Sequence, residues 1–573
     1  MNGIIKINSI PDKIYRRKDL KFMRKKIYAA LICPMLMLSS CKMPFQKNES
    51  DGSGYLFTYT LTENPDNLDP QIASNTAAFT ILRNMMQGLL EEQPDGTLTY
   101  GVASHYSITE DGLKYTFTLR DTSYWYYDEN KNDKIDDGES WKVTADDFVF
   151  AFQRLFQKET KSPYREDFRC ILGADAVIDE DAPVDTIGVY AESPNTLIFN
   201  LSRPCAEFLT LLSTPAAMPC NQRFFEQTAG RYGLDEDSVI SNNGFYMRRW
   251  FYDPYGSDNL IYMSKNSAND TVQPVFPSDV TFLIRNGQTK ADEEFANGKS
   301  DILVTADYSP NYNESTGYNV TSYRSVTLGF VLNTEWEAFK NDDIRKAFAY
   351  SIPRELFPEN EKNDVEAAYG IIPPETRIGA SAYSDYVSSP LFTDASKEEA
   401  KALFQKGMHD LGLTSLPPSD ILISEGSVSE DDLYEIMQVW QSLFGFYGGI
   451  EVVPESEYRQ RLANKDYVIA LCGITGKRNS ASAVLETFRT DKNIFGYSNE
   501  EFDALLDTMI NARDLGELSL ICRQGEELIA EDNIFIPVFY KNKYLVHSIK
   551  NHDISYDPYS GIIDFRRAKY FSD

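Results

Sequence analysis

Apolar positions along the chain recur at two alternating spacings. Residues 55–61 (YLFTYTL) are β-branched and aromatic and predict a strand, followed by a loop at Asn64-Pro65-Asp66. Residues 76–90 (TAAFTILRNMMQGLL) carry apolar groups at helical spacing, and 91–96 end that helix in a turn. Strands are expected at 107–108 and 113–119, then an aromatic turn at 124–127. Thr144 ahead of FVFAFQRLF marks a helix start, with Asp146 and Asp147 at its positive end. Farther on, strands at 196–201 and 261–263 give way to helices at 344–350, 397–404 and 433–446. The strand IEVVP, a helix at 458–462 and a strand at 466–471 follow. This alternation predicts an α/β fold with parallel sheets covered by helices.

The start of the chain breaks the pattern. Residues 23–41 read MRKKIYAALICPMLMLSSC: a basic flank, an apolar run too short to span a bilayer, then small residues directly before Cys41. That is an export signal, and Met23 makes a tidier start for it than Met1. Its Leu-Ser-Ser-Cys ending resembles the bacterial lipobox, in which the cysteine is acylated. Cys41 is therefore the expected lipid anchor, holding the protein on the extracytoplasmic face of the membrane, with 42–54 as a flexible tether.

Bulk properties narrow the partners. At 573 residues, more than one domain is expected, and 42% hydrophobic with 25% charged residues is ordinary for a folded body. The formal charge of −30 opposes a phosphate backbone, so nucleic acid is excluded as a partner. Cysteines fall at 33, 41, 170, 205, 220, 472 and 522, with no CxxC pair and no zinc-like spacing to the four histidines. An enzyme would need a nucleophile with a base, or another recognisable constellation. There is no GxSxG elbow, no HExxH and no phosphate-binding glycine loop.

An ordered set of short motifs carries a resemblance: 64–70 (NPDNLDP), Gln87-Gly88-Leu89-Leu90, 141–152 (WKVTADDFVFAF), Ser162-Pro163-Tyr164 and Asn243-Gly244-Phe245-Tyr246. It continues through 295–302 (FANGKSDI), 343–347 (DIRKA), 499–505 (NEEFDAL) and Ile536-Pro537-Val538. Together they resemble the oligopeptide and dipeptide substrate-binding proteins of bacterial ABC importers, solute-binding protein family 5. The resemblance implies a two-lobed, type II periplasmic-binding-protein-like fold with an extra domain on the first lobe. Lobe I is expected at 55–90, 216–325 and 535–573, the extra domain at 91–215, and lobe II at 326–534. It also implies a monomer that is not an enzyme, captures a small peptide or related solute between closing lobes, and passes it to ABC permease subunits. Two readings stay open beside it: a peptide-sensing lipoprotein of the same fold without a transport role, and a secreted hydrolase.

The ligand site departs from the family. Many members carry an aspartate for the peptide ammonium where alignment on Gly473 places Lys477, with Ile474 in place of a tryptophan and Thr475 where some carry cysteine. A lysine repels an ammonium, so a free-amine peptide should bind poorly in the usual register. The other reading puts Lys477 and Arg478 on a solvated loop. The same alignment makes Thr305, Tyr458, Phe539 and Tyr540 candidate cleft contacts, each equally readable as core packing.

Residues 128–139 (DENKNDKIDDGE) resemble an EF-hand loop, with oxygens at Asp128, Asn130, Asn132, Asp136 and Glu139. Asp133 occupies the sixth position, where glycine is usual. The alternative is a solvated acidic hairpin tip. No cofactor is required; a structural calcium is the candidate here.

Overall fold

The computed structural model describes residues 53–572 except 269–273, 308, 357–364, 388, 394–395 and 429. The signal segment and Cys41 lie outside the described residues.

Two hydrophobic cores organise the body. The first gathers Phe57, Ile81, Phe117, Phe152, Phe199, Phe282 and Phe565; the second gathers Phe330, Phe348, Trp440, Ile469, Phe502 and Phe539. We refer to the structure around each as the first and second lobe. The predicted first strand forms at Leu56–Leu61 and pairs parallel with Asp279–Ile284. The helix Thr76–Met85 stops earlier than its apolar run predicts, because Leu90–Glu92 leaves it to pair as a strand with Leu98–Tyr100. An antiparallel sheet of Ala103–Ile108, Lys114–Leu119, Thr196–Asn200 and Val189–Ser193 lies within 91–215, and its core is continuous with that of the first lobe. At Ala145–Phe156, the Asp147 carboxylate accepts the Thr144 backbone N–H at 2.8 Å, the Trp125 Nε1–H at 3.0 Å and the Asn221 amide at 2.8 Å.

Two long strands join the lobes. Tyr318–Leu332 and Phe535–Ser548 pair antiparallel from Tyr318↔Ser548 to Val331↔Phe535. Phe535–Ser548 begins in the second core at Phe535, Ile536, Val538 and Phe539 and reaches the first at Leu545. The expected boundary at 535 thus falls at the head of a strand shared by both lobes. Gly329 lets the pair approach, since a Cβ there would collide with the Phe535 ring and stand 2.6 Å from the Ile536 carbonyl.

The expectation of parallel sheets holds only in part. Parallel pairs occur at Leu56–Leu61 with its neighbours and at Ile421–Ser424 with Ile450–Val453 and Ile469–Ile474. The strands crossing between lobes are antiparallel, as is the edge Phe245–Phe251, Leu260–Lys265 and Asp279–Ile284. Apolar runs report burial, not strand direction.

Candidate functional site

Both lobes line one cavity of about 480 Å³, within the ~300–1,000 Å³ range of small-ligand sites. The first lobe supplies Phe79 and Arg83 from helix Thr76–Met85, Glu92 from strand Leu90–Glu92, Tyr164 just before and Asp167 within the Arg165–Phe168 turn, and Asp557 and Asp564 near the C-terminus. The second supplies Lys477, Arg478 and Asn479, directly after strand Ile469–Ile474.

Most of the charge around the cavity is already paired. Arg83 Nε donates to Asp564 at 3.2 Å, and Arg566 Nη1 donates to Glu91 at 2.7 Å while its Nε donates to Asp564 at 2.9 Å. Burial alone would raise Glu91 and Asp564, but Arg566 and Arg83 outweigh it and hold both carboxyls below their ordinary values. Asp557 caps a turn, accepting the Tyr559 N–H at 3.0 Å.

The lobes meet at a second cluster. Glu207 of the first lobe accepts from Arg478 Nη2 at 3.0 Å and Ser482 Oγ at 2.6 Å, and Ser480 Oγ also donates to it. Burial pushes the Glu207 carboxyl up, yet Arg478 and the hydroxyls together hold it below the ordinary range. Beside it, the Ala206 N–H donates to the Ala512 carbonyl at 3.1 Å. Asp167 stands 4.0 Å from Arg478 and is raised, by burial above all, against Arg478 and Lys477.

Four groups on the lining are left over. The Glu92 and Lys477 side chains make no hydrogen bond or ion pair with the described residues, although the Glu92 carbonyl accepts from Arg83 Nη2 at 3.1 Å; Lys477 is exposed and Glu92 half-buried. Asn479 Oδ1 and Arg478 Nε are shielded from solvent and have no partner among them. Such orphaned groups cost about 1–3 kcal/mol each unless a ligand satisfies them. Burial first, then Asp557, pushes the Glu92 carboxyl up to about 7.

Of the residues expected to contact ligand, Lys477 lines this cavity. The others are engaged elsewhere. Tyr458 is buried, its hydroxyl donating to the Leu471 carbonyl at 2.7 Å within its own lobe. Phe539 and Ile474 are buried in the second core. The Tyr540 hydroxyl accepts the Gly370 N–H at 3.0 Å. Thr305 is buried at a strand end and accepts the Asp307 N–H at 3.2 Å. Gly473 and Thr475 are exposed, and Thr475 Oγ1 donates to the Ser325 carbonyl at 3.0 Å. Arg478 is no solvated loop residue, because Glu207 draws it between the lobes. Sequence reasoning missed Glu92, Arg83, Asp167 and Glu207. The signal for two of them sat beside quoted motifs, Glu92 after Gln87-Gly88-Leu89-Leu90 and Asp167 after Ser162-Pro163-Tyr164.

In the loop 128–139, Asp133 adopts a left-handed φ of 63°, the backbone that glycine usually supplies at that position. The Asn130 and Asn132 amides both donate to Asp136 Oδ2 at 2.7 Å, Asp128 accepts two backbone N–H groups, and Glu139 accepts those of Glu129 and Asp136. Among the described residues, no group of three or more His, Cys, Asp or Glu side chains stands ready to hold a metal.

A two-core α/β body joined by crossing strands, with a partly open cavity lined from both lobes, defines a solute receptor. The model of the bacterial extracellular solute-binding proteins, family 5, matches residues 97–496, and the chain belongs to that family. It is a binding protein and not an enzyme. The chain is 26% identical to the oligopeptide-binding protein OppA of Bacillus subtilis over 541 residues, covering 92% of this chain and 94% of that one. It is 24% identical to the dipeptide-binding protein DppE of the same organism, covering 88% and 91%. The solved murein tripeptide-binding protein MppA of Escherichia coli shares its fold, with a TM-score of 0.69 at 20% identity over 91% of this chain and 100% of that one. No helix among the described residues is long and apolar enough to cross a membrane.

Proposed function

We propose that this protein is the extracytoplasmic receptor of an ABC importer, capturing short peptides between its lobes. The observation that carries this reading is the cavity shared by both lobes, whose walls present unpartnered charged and amide groups beside apolar surface such as Phe79. Backbone amides of a peptide match Asn479, and closure replaces the peptide's water with fixed donors and acceptors. The similarity to OppA and DppE, named as oligopeptide- and dipeptide-binding proteins, supports the same class. A permease that engages only the closed form couples transport to occupancy.

The receptor acts as a monomer tethered through an acyl group on Cys41, supported by the Leu-Ser-Ser-Cys sequence. Incorporation of labelled fatty acid that disappears in Cys41→Ser tests the anchor. A thermal-shift screen of the soluble body against di-, tri- and tetrapeptides, with sugars as controls, tests the ligand class. Bound ligand raises the melting temperature by mass action. A rise with sugars and none with peptides overturns the assignment.

A further inference from the structure

The cavity holds two charged side chains that make no hydrogen bond or ion pair with the described residues, and they come from opposite lobes. Glu92 belongs to a strand of the first lobe, Lys477 to a loop of the second. They do not neutralise each other: the charges acting most strongly on Glu92 are Asp557, Arg83, Arg377 and Glu207. The remaining charges have partners, Arg83 with Asp564, Arg478 with Glu207 and, at 4.0 Å, with Asp167, and Asp557 with its own turn; Asp167 is also the carboxyl on which the Lys477 charge acts.

We propose that the ligand is a short zwitterionic peptide whose free ammonium pairs with Glu92 and whose free carboxylate pairs with Lys477, tying the first lobe to the second. The inference rests on the peptide-receptor reading above and adds to it the two residues that select the termini. It also changes the expectation drawn from Lys477. A lysine in the usual ammonium position does not exclude free-amine peptides if the ammonium lies at Glu92, with the chain placed in another register.

Three features favour this arrangement. A carboxyl held in a poorly hydrated wall with Asp557 beside it gains most from an incoming cation. A ligand with both charges makes its full set of contacts only when the lobes are together, the differential affinity that closure requires. Between the ends, Asn479 Oδ1 is an acceptor awaiting a donor, as a peptide N–H supplies. A cavity of about 480 Å³ lies in the range of small-ligand sites and suits a short peptide.

The test is calorimetric titration of the parent, Glu92→Gln and Lys477→Gln with four tripeptides: trialanine, trileucine, trilysine and triglutamate. Each is used free, N-acetylated and C-amidated. For the parent, acetylation and amidation each weaken binding at least about tenfold, since each removes a charge-assisted pair. Glu92→Gln weakens the free peptide by a similar factor and erases the penalty of acetylation while keeping that of amidation. Lys477→Gln does the reverse. This crossed pattern separates terminus recognition from a general loss of folding, which would weaken all forms alike, and unchanged melting temperatures confirm the fold. If acetylated and free peptides bind the parent equally, or the penalties survive in the variants, the terminus assignment falls while the peptide reading stands. If none of the peptides binds in any form, the peptide reading falls and this inference with it.

Discussion

The Glu207 carboxylate and the Arg478 guanidinium meet at 3.0 Å across the boundary between the two lobes. Ser480 and Ser482 complete a shell of donors around Glu207, and Ala206 donates to Ala512 next to it. The side-chain donors to this carboxylate all come from the second lobe, so we expect the contact to hold the lobes together and favour the shut state. Glu207 does not line the cavity. Glu207→Ala should therefore weaken every ligand through closure rather than contact. Truncating one partner of a buried, hydrogen-bonded charge pair costs about 2–5 kcal/mol. We expect peptide affinity to fall at least tenfold, and a double-mutant cycle with Arg478→Ala to be strongly non-additive. Additive losses would show that the two side chains do not act together.

The buried cluster of Arg566, Asp564, Glu91 and Arg83 ties the C-terminal segment to the strand that carries Glu92. Arg566→Met leaves two carboxylates facing each other with one cation, and breaking such a buried network costs about 3–5 kcal/mol. Urea denaturation measures it. Both carboxyls are depressed in the fold, so their stabilisation is present above the ordinary carboxylate value and is lost as pH falls through the lowered one. The parent should lose stability steeply below about pH 4, and Arg566→Met should lose less over that interval. A parallel decline in both would remove the cluster from the explanation.

Glu92 carries the opposite sign. Its carboxyl is raised to about 7, so the stability it contributes while neutral is present below its ordinary value and lost as pH rises through about 7. A bound ammonium reverses this by favouring the ionised form. Asp557, Arg83, Arg377 and Glu207 are the charged groups facing it. Affinity for free-amine tripeptides should rise between about pH 6 and pH 7 in the parent, before the peptide ammonium itself titrates near about pH 8, and Glu92→Gln should flatten that rise. An unchanged slope in the variant would place the titration elsewhere.

Much of the architecture is legible in the chain because burial imposes a period. Apolar runs at 55–61, 344–350 and 433–446 become Leu56–Leu61, Asp342–Tyr350 and Glu430–Phe444, each packed on a core. Strand direction was not legible, since a run such as 318–332 reads alike in either sense until its partner Phe535–Ser548 is known. The cavity was harder still. Its charged walls come from positions as far apart as Glu92, Asp167, Lys477 and Asp564, and no local pattern joins them. Tyr458 illustrates the limit: an aromatic residue near the right strand is ligand contact or core according to where its hydroxyl finds an acceptor, and here Leu471 provides it.

Residues 128–139 keep a calcium-loop spacing in the sequence and Asp133 there is left-handed, while the Asn130 and Asn132 amides are already bonded to Asp136. We expect calcium to act there only as a structural ion. Calcium should raise the Tm of the parent and leave that of the Asp128→Ala, Glu139→Ala double variant unmoved, with calorimetric heats following the same pattern. Equal responses in the two proteins would assign the loop to a self-capped hairpin.

The central claim is that two lobes shut around a small peptide, and small-angle X-ray scattering on the soluble body tests it most directly. Saturating a peptide found by thermal shift should lower the radius of gyration of the parent. In Glu207→Ala the peptide-free protein should be more expanded and should contract only at higher peptide concentration. A radius that stays constant from empty to saturated in the parent and the variant alike would contradict closure as the mode of capture.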